Sequence, residues 1–450
     1  MTWRRVLMRG LALASLAVLA SAAQAQTPAP LPDNFSFAAA GDLIYLRPAL
    51  KTVEANAPDL LKALRGADVA FGNFESNVFP LKGFPGALQA ELDGPALLSS
   101  ATVPAELKAM GFDIVSHANN HAGDWGSDGI VATRRNLDRA GLAHAGSGVN
   151  LKAARAAGHV KARGVDVAVV AATSSFSASA AAADVVRQAP DRPGVNALHL
   201  SRTVLVPPGD LAALRGVAAH APSAAVNVTA ALAGNEVKLI DQTFRADPSR
   251  TDRVGYAYAM DGKDRQGLID AVAAARKTSG FVLFSLHTHE SSGDPSAPPA
   301  FEVELAHAAI DAGADAFVAH GPHQLRGVEI YKGRPIFYSL ANFAIMTPSP
   351  ELNPPLNFAP GSLFTQRAFV ESVVAVGRYK GGKLAEIRLT PFEITQTSEL
   401  NTNGLPKAVS ADAGKAIITK LQQLSRPFGA DIAYEGGVGV IRIKDDKGGR

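Results

Sequence analysis

Five short apolar runs in this chain are each followed by side chains that can bind a metal ion or move a proton. Apolar runs of this length, separated by helix-like stretches, predict the buried strands of an α/β sheet. The carboxyl ends of such strands meet at one ligand crevice, so these side chains are expected to lie together as a two-metal hydrolytic site. The runs are residues 35–40, 69–71, 113–115, 281–286 and 316–319, and the polar residues after them are Asp42, Glu75, Asn120, His121, His287, His320 and His323.

Composition limits the class of protein. The 450 residues suffice for one large α/β domain or for two domains with ample core. The net charge of +3 is small for this length and no run of like charges stands out, so a nucleic-acid partner is not indicated. The chain has no cysteine, which excludes disulfides and a lipidated cysteine as an anchor.

The first 25 residues predict a secretory signal peptide. Three arginines precede the apolar stretch 11–20, and the small residues 23–25 suit a cleavage site, so the mature chain is expected to start near Gln26. No later apolar run approaches the roughly 20 residues that cross a bilayer, and we expect no stable membrane insertion. The sequence therefore predicts an exported bacterial protein that is periplasmic or secreted.

Periodicity predicts further helices and strands. Residues 128–140 form a helical apolar stripe, with Ser127 as the expected N-cap and Gly141 at the end. An alanine-rich helix is predicted for residues 178–188. The other predicted elements are strands at 165–172, 226–232, 236–240 and 336–338, and helices at 265–277 and 301–312.

The last hundred residues are predicted to extend the same domain. Residues 347–362 are rich in proline and asparagine and predict a loop. Beyond the loop we expect a small α+β appendage, with strands at 368–376, 384–389 and 439–443 and a helix around 411–424. The chain is thus divided into a signal peptide (1–25), a main domain (34–345) and a C-terminal extension (346–450).

The most specific single stretch is residues 116–124. Two adjacent asparagines usually form a turn, which accounts for Asn119 but not for the imidazole and carboxylate nearby. The amide oxygen of Asn120 suits Mn, Fe or Zn when charged ligands complete the set. His121, if not itself bound to metal, can act as a general acid that Asp124 orients by a hydrogen bond.

The two carboxylates have two possible roles. Asp42 follows a glycine, and a turn or helix-capping aspartate is a common alternative to a metal ligand at such a position. Glu75 has the same ambiguity. A carboxylate between two divalent ions can bridge them, and either residue can fill that role.

The remaining histidines come in two pairs. His287 and His289 point to one side if the strand persists, so that one is a ligand and the other supports it or faces a substrate. His320 and His323 flank a tight Gly-Pro turn, where they either lie on the surface or face the crevice. Four histidines on two strand-end loops of a histidine-poor chain favour the crevice.

On these segments the sequence resembles the CapA family, the bacterial capsule or poly-γ-glutamate biosynthesis proteins of the calcineurin-like metallophosphatase superfamily. The similar segments follow the family's order and cover roughly residues 34–343. They are Gly41-Asp42, Asn73-Phe74-Glu75, Asn119-Asn120-His121 with Asp124 and Gly126, His287 with Glu290, Gly313-Ala314-Asp315, His320-Gly321-Pro322-His323 and residues 338–343.

The resemblance implies a four-layer α/β/β/α sandwich around two divalent metal ions, either Mn, Fe or Zn. It implies hydrolysis of a phosphoester, with Glu75 bridging the ions and His121 as a catalytic histidine that is not a ligand. In that chemistry the ions activate water and stabilise charge on phosphorus. The implied ligands are Asp42, Glu75, Asn120, His287, His320 and His323.

Three positions depart from the superfamily pattern. Ile44 replaces a histidine two residues after the first aspartate, His320 and His323 are three rather than two apart, and Ala341 replaces a glycine. One metal site can therefore be short of a ligand. Two functions stay open: a phosphoesterase with a phosphoester substrate, or a non-catalytic component that binds an anionic polymer in an envelope biosynthesis complex.

Overall fold

The computed structural model describes residues 28–89, 95–186, 188–220, 234–239, 241–352 and 366–443. The predicted signal peptide and the predicted strand at 226–232 lie outside these residues, as do residues 353–362 of the predicted loop. Among the described helices, none combines the length and the apolar character that a bilayer crossing requires.

The strands follow the chain in this order: β1 (Phe35–Ile44), β2 (Val69–Asn73), β3 (Asn77–Val78), β4 (Leu98–Ser99), β5 (Ile114–Ser116), β6 (Ala143–Ala145), β7 (Ser147–Gly148), β8 (Gly158–Ala162), β9 (Val165–Thr173), β10 (Gly194–Val195), β11 (Leu200–Val206), β12 (Glu236–Leu239), β13 (Gln242–Ala246), β14 (Gly255–Met260), β15 (Phe281–His287), β16 (Ala316–His320), β17 (Val328–Tyr331), β18 (Arg334–Phe337), β19 (Asn342–Ile345), β20 (Glu371–Lys380), β21 (Lys383–Ile394), β22 (Pro406–Lys407), β23 (Ala433–Glu435) and β24 (Val438–Arg442).

The helices are α1 (Leu50–Asn56), α2 (Pro58–Arg65), α3 (Val103–Met110), α4 (Gly126–Ala140), α5 (Leu151–Arg155), α6 (Pro208–Ala219), α7 (Gly262–Arg276), α8 (Ala300–Asp311), α9 (Arg367–Val370) and α10 (Ala411–Ser425).

Two sheets pack face to face, and helices cover their outer faces. The first sheet has the order β23-β24-β21-β20-β1-β2-β5-β6, with β19 beside β1, and the second has the order β17-β18-β16-β15-β9-β8. Buried side chains of both sheets form one shared core. Helices α1, α2 and α3 pack on the outside of the first sheet, and α7 and α8 on the outside of the second. The predicted α/β/β/α sandwich is confirmed.

Aromatic rings join the two sheets. The Phe281 ring of the second sheet lies 5.6 Å from Phe35, 5.1 Å from Phe37 and 5.4 Å from Tyr379 of the first sheet, between ring centroids. All four side chains are almost fully buried. Ring pairs at such distances contribute about 0.5–1.5 kcal/mol beyond their area burial, so this cluster fixes the sheets against each other.

The C-terminal strands continue the first sheet and do not stand apart from it. β20 pairs antiparallel with β1, from Phe35 opposite Tyr379 to Ala39 opposite Ala375. β21 then pairs with β20, and β24 with β21. What we expected as a small appendage therefore supplies half of the strands in the sheet that carries Asp42.

A separate four-stranded sheet, β12-β13-β11-β14, is inserted before α7. It has its own small core with α6, built from Val204, Val206, Leu211 and Val237. The predicted strand at 236–240 appears here as β12, whose described residues end at Leu239. This insertion places β11 and β14 close to His289, which follows the end of β15.

Local predictions differ in outcome. Helix α4 ends at Ala140 and is followed by the expected Gly141, whose φ of 65° suits a glycine after a helix. Ser127 is not the cap, because the helix starts at Gly126 and the Ser127 hydroxyl donates to the Pro193 carbonyl. The predicted helix at 178–188 is wrong. Only Ala178–Ala180 forms a 3₁₀ turn, and the residues after it make isolated bridges with residues 189–195.

Candidate metal centre

The apolar run 35–40 predicts that Asp42 lies beyond the end of a strand. In the structure, Asp42 instead lies inside β1. The pairing of β1 with β19 shifts register between Asp42 and Leu43, and Leu43 and Ile44 both pack in the core under α1–α3. This irregularity breaks the usual alternation of side chains between the two faces of the strand. The Asp42 carboxylate is fully buried, accepts the Gly321 backbone N–H at 3.0 Å and accepts the Asn73 amide at 2.8 Å.

Gly41 lets β1 approach the turn before β19. A Cβ on Gly41 would lie 1.8 Å from the Ala341 carbonyl oxygen, which accepts the Asp42 backbone N–H at 3.0 Å. Ala341 has a φ of 60°, in the left-handed region that favours glycine. The alanine found in place of the expected glycine is therefore tolerated at a cost of about 1–2 kcal/mol in backbone strain beside the site.

Six potential ligands gather into two groups where the sheets meet. The carboxylates come from the first sheet and the loop after its β2, and the imidazoles from the second sheet and the loops after β15 and β16, so the groups exist only because the sheets pack. In each group, ligand atoms lie within 4.8 Å of one another. The first group, fully buried, is Asp42, His287 and His320; the second, more open, is Glu75, His289 and His323.

His287 lies at the centre of the cluster. Its Nε2 is 2.9 Å from the Asn120 amide oxygen and 3.1 Å from His289 Nε2, and its Nδ1 is 3.0 Å from His320 Nδ1. Ring nitrogens that face each other so closely need a proton or a cation between them. The Ser285 hydroxyl lies 2.8 Å from His320 Nε2, which leaves Nδ1 of that ring for the cluster.

His121 and Asp124 form a pair beside the cluster. His121 follows Asn120 in the 3₁₀ turn Asn120–Gly123, and its Nδ1 lies 2.9 Å from Asp124 Oδ2. The same carboxylate oxygen accepts the Leu97 backbone N–H at 2.8 Å, and the Asn77 amide donates to the His121 carbonyl at 2.7 Å. These bonds hold the ring and leave its Nε2 available for proton transfer.

Burial sets the protonation states in the cluster. Burial opposes ionisation of Asp42, but its hydrogen bond with His323 and the neighbouring imidazoles outweigh it and hold the pKa of Asp42 well below its usual value. Burial also lowers the pKa of His287 well below normal and the pKa of His320 to about 4. An ionised carboxylate beside neutral imidazoles is the state in which these groups bind a metal.

Glu75 shows that a divalent cation fits this cluster. Burial, together with the negative charge of Asp42, raises the pKa of Glu75 well above its usual value. Its Oε1 is buried and has no hydrogen-bond partner among the described residues. A divalent cation would supply both the missing partner and the opposite charge. The donor set of imidazoles, carboxylates and an amide suits Mn, Fe or Zn.

Two residues of the cluster, Asn73 and Asn342, were not assigned as ligands or supports from the sequence, whereas His289 was expected to be one or the other. His289 joins the second group, as its period-two spacing from His287 had left open. The Asn73 amide lies between Asp42 and His287 Nδ1, 3.3 Å from the latter. Asn342 accepts a hydrogen bond from His323 Nδ1 at 2.8 Å and so orients that ring. Asn73 could have been predicted as part of the cluster because it lies two residues before Glu75.

The other histidines lie outside the cluster. His117 is buried against Phe74, its Nδ1 lies 2.9 Å from the Ser147 hydroxyl, and burial lowers its pKa to about 3. Five histidines without a predicted metal role each bond a carboxylate or a carbonyl elsewhere. They are His144, His159, His199, His220 and His307.

The family model of the bacterial capsule synthesis protein PGA_cap matches residues 36–347. This chain belongs to that family. Protein y4sH of Sinorhizobium fredii is 36% identical over 438 residues, which cover 91% of this chain and 94% of y4sH. The capsule biosynthesis protein CapA of Bacillus anthracis is 27% identical over 281 residues, covering 62% of this chain and 51% of that protein. The PGA biosynthesis protein CapA of Bacillus subtilis is 26% identical over 318 residues, covering 69% and 63%.

The PGA_cap match confirms the CapA resemblance drawn from the motifs. It begins in β1 and ends just after β19, and so contains every residue of the two ligand groups. Strands β20 to β24 lie beyond the match although they complete the sheet that holds Asp42. The departure at Ile44 also has a structural explanation, because its side chain packs under the outer helices and away from the ligands.

Proposed function

We propose that this protein is an exported phosphoesterase that uses divalent metal ions in capsule or poly-γ-glutamate synthesis. The observation that carries the proposal is the pair of ligand groups, whose atoms lie within 4.8 Å of one another in each group. Membership of the PGA_cap family supports the biosynthetic role. The signal-peptide pattern of residues 1–25 supports export to the periplasm or beyond.

Divalent ions in the two groups would polarise the phosphoester and lower the pKa of water. The chain's own residues then position and protonate the substrate. Asn120 contacts the His287 ring and precedes His121 in the same turn, so it fixes the position of His121 relative to His287. His121 holds a proton at Nε2 for the leaving oxygen, while Asp124 bonds Nδ1 and stabilises the protonated ring. Mature protein loaded with Mn²⁺ is expected to hydrolyse bis(p-nitrophenyl) phosphate.

The Asn120→Ala/His121→Ala double variant tests this assignment. It removes a ligand and the proton donor, so the rate should fall by at least about 10²-fold. His159→Ala is the matched control, because that half-exposed ring pairs with Asp166 on the far edge of the second sheet and should leave the rate unchanged. Activity retained in the double variant contradicts the assignment.

A second function, non-catalytic binding of an anionic polymer within an envelope assembly complex, is favoured by one observation. The Asn73 amide nitrogen points at Asp42 and His287, and a nitrogen that donates hydrogen bonds cannot bind a cation. A site weakened in this way would hold one ion or none. Elemental analysis of the purified protein separates the two functions: two ions per chain with turnover excludes the second, whereas polymer binding that survives in the double variant supports it.

A further inference from the structure

A pocket of about 460 Å³ opens directly beside the second ligand group. His289 forms part of its wall, and His289 Nε2 lies 3.1 Å from His287 Nε2 at the centre of the cluster. The opposite wall comes from the inserted four-stranded sheet, through Leu200 and Arg202 of β11 and Tyr258 of β14. A substrate held at the ligand groups therefore has space to extend towards the inserted sheet.

Arg202 presents a pre-oriented positive charge in this pocket. Its Nε and Nη2 donate to the Gln242 side-chain oxygen at 3.3 and 2.8 Å, and Gln242 donates back to the Arg202 carbonyl at 3.0 Å. The guanidinium also lies 5.5 Å from the centre of the Tyr256 ring. Among the described residues, no carboxylate forms an ion pair with Arg202, and its Nη1 makes no hydrogen bond. One edge of the guanidinium is therefore available to a ligand.

The rest of the pocket is partly aromatic. Phe176 packs edge-on against the His199 ring at 5.0 Å, and both line the pocket together with Tyr258. Glu290 is the acidic residue of the wall, and its Oε2 already accepts the hydroxyls of Ser174, Ser175 and Thr288 at 2.6–3.0 Å. That carboxylate oxygen is therefore already hydrogen-bonded, whereas the Nη1 edge of the Arg202 guanidinium is available to a ligand.

We propose that this pocket is a specificity subsite, in which Arg202 binds a second acidic group of the substrate across an apolar spacer from the scissile phosphoester. The inference rests on the proposed function, because the phosphoester end is placed at the metal ligands. A planar guanidinium binds a carboxylate or a phosphate by paired hydrogen bonds, and the aromatic walls suit the spacer. The favoured substrates are phosphoesters whose leaving group is itself an acid.

Calorimetric titration of the Mn²⁺-loaded protein tests the subsite without turnover. The three probes are benzylphosphonate, 4-carboxybenzylphosphonate and 1,4-xylylenebisphosphonate, which share one spacer and differ in the distal group. At least one of the two probes with a distal acid should bind about 10-fold more tightly than benzylphosphonate, and the comparison between them shows whether a carboxylate or a phosphonate fits better. In Arg202→Met this ratio should fall to about one, and in Arg202→Lys part of it should return.

Arg245→Met is the matched control. It removes the same charge from β13 of the same sheet, but Arg245 pairs with Glu236 and does not line the pocket, so the ratio should stay at the wild-type value. Equal affinities for all three probes overturn the subsite and leave the proposed phosphoesterase standing. Failure of all three probes to bind counts against both the subsite and the metal centre.

Discussion

Single backbone positions decide whether the ligands of this protein reach one another. His323 has a φ of 56° and Ala341 a φ of 60°, both in a region that residues other than glycine rarely occupy. The two strained turns are joined by the Asn342 side chain, which bonds His323 Nδ1, and by Asp42, whose backbone N–H donates to the Ala341 carbonyl. Strain kept in place by such bonds is typical of sites that must hold a fixed geometry.

Gly41→Ala should be strongly destabilising, because the new Cβ would meet the Ala341 carbonyl oxygen at 1.8 Å. Neither backbone segment can move without disturbing Asp42, so we expect a loss of about 1–3 kcal/mol or more in the free energy of unfolding. Urea denaturation measures it. Gly262→Ala is the control, since nothing lies within 4 Å of a Cβ at this first position of α7. Equal stability of Gly41→Ala and the wild type would show that the close approach is not required.

Glu302 makes stability depend on pH. Burial raises its pKa to about 7, although the nearby Arg326 opposes the shift. A carboxyl group with a raised folded-state pKa stabilises the fold fully below its unfolded value near 4.5, and this contribution is lost as pH rises through about 7. The unfolding free energy of the wild type relative to Glu302→Gln should therefore fall by about 3 kcal/mol between pH 4.5 and 7.5. A difference that is flat with pH contradicts the raised pKa.

At the scale of elements, a buried arginine connects α8 to the loop that carries His289. Arg326 is 1% exposed, and its guanidinium donates to Glu302 of α8 at 2.8 Å. It also donates to the carbonyl oxygens of Glu290 at 2.9 Å and Pro295 at 3.2 Å. These bonds hold both ends of residues 290–295, which form neither helix nor strand, against the second sheet.

Arg326→Leu should cost about 3–5 kcal/mol of unfolding free energy, because it leaves the Glu302 carboxyl and two carbonyl groups buried without a donor. The Glu302→Leu/Arg326→Leu double variant should recover part of that loss, since no charge is then buried alone. A double-mutant cycle in urea measures the coupling. Single-variant losses that add within about 0.5 kcal/mol show that the pair is not coupled.

At the scale of the whole molecule, the candidate metal centre lies where the two sheets meet. The carboxylates come from β1 and the loop after β2, the four imidazoles come from β15, β16 and the loops after them, and the shared core of buried side chains lies beside them. Any cation bound there would add a further link between two layers that packing and hydrogen bonds such as Gly321 N–H to Asp42 already join. Strands β20 and β21 complete the first sheet, so the C-terminal extension supports the geometry of a site to which its described residues contribute no ligand.

Removing the metal should therefore lower the stability of the whole molecule. A ligand present at 100 times its Kd stabilises the bound fold by about 2.7 kcal/mol, so excess EDTA should lower the melting temperature by several degrees. Scanning calorimetry of the Mn²⁺-loaded protein with and without EDTA gives the shift. Asp42→Asn is the control and should respond much less. An unchanged melting temperature in the wild type argues against a bound ion.

The sequence by itself determined the layered α/β architecture and the strand-end positions of most ligands. Strand runs such as residues 281–286 are apolar throughout because both of their faces are buried, and that pattern is local. The motif around Asn120 and His121 could likewise be recognised from consecutive residues. The helix predicted for the alanine-rich stretch at 178–188 is wrong, because helix propensity is weak beside the isolated backbone bridges that these residues form.

Only the tertiary structure decided which side chains lie close enough together to share an ion. The bulge after Asp42 turns Ile44 away from the site. The left-handed turn at His323 brings the His323 ring towards Asp42, although His320 and His323 are one residue further apart in the chain than the superfamily pattern predicts. The pocket at Arg202 depends on an inserted sheet that lies next to His289. Such distances are set by packing between segments far apart in the chain, and no local pattern of residue types contains them.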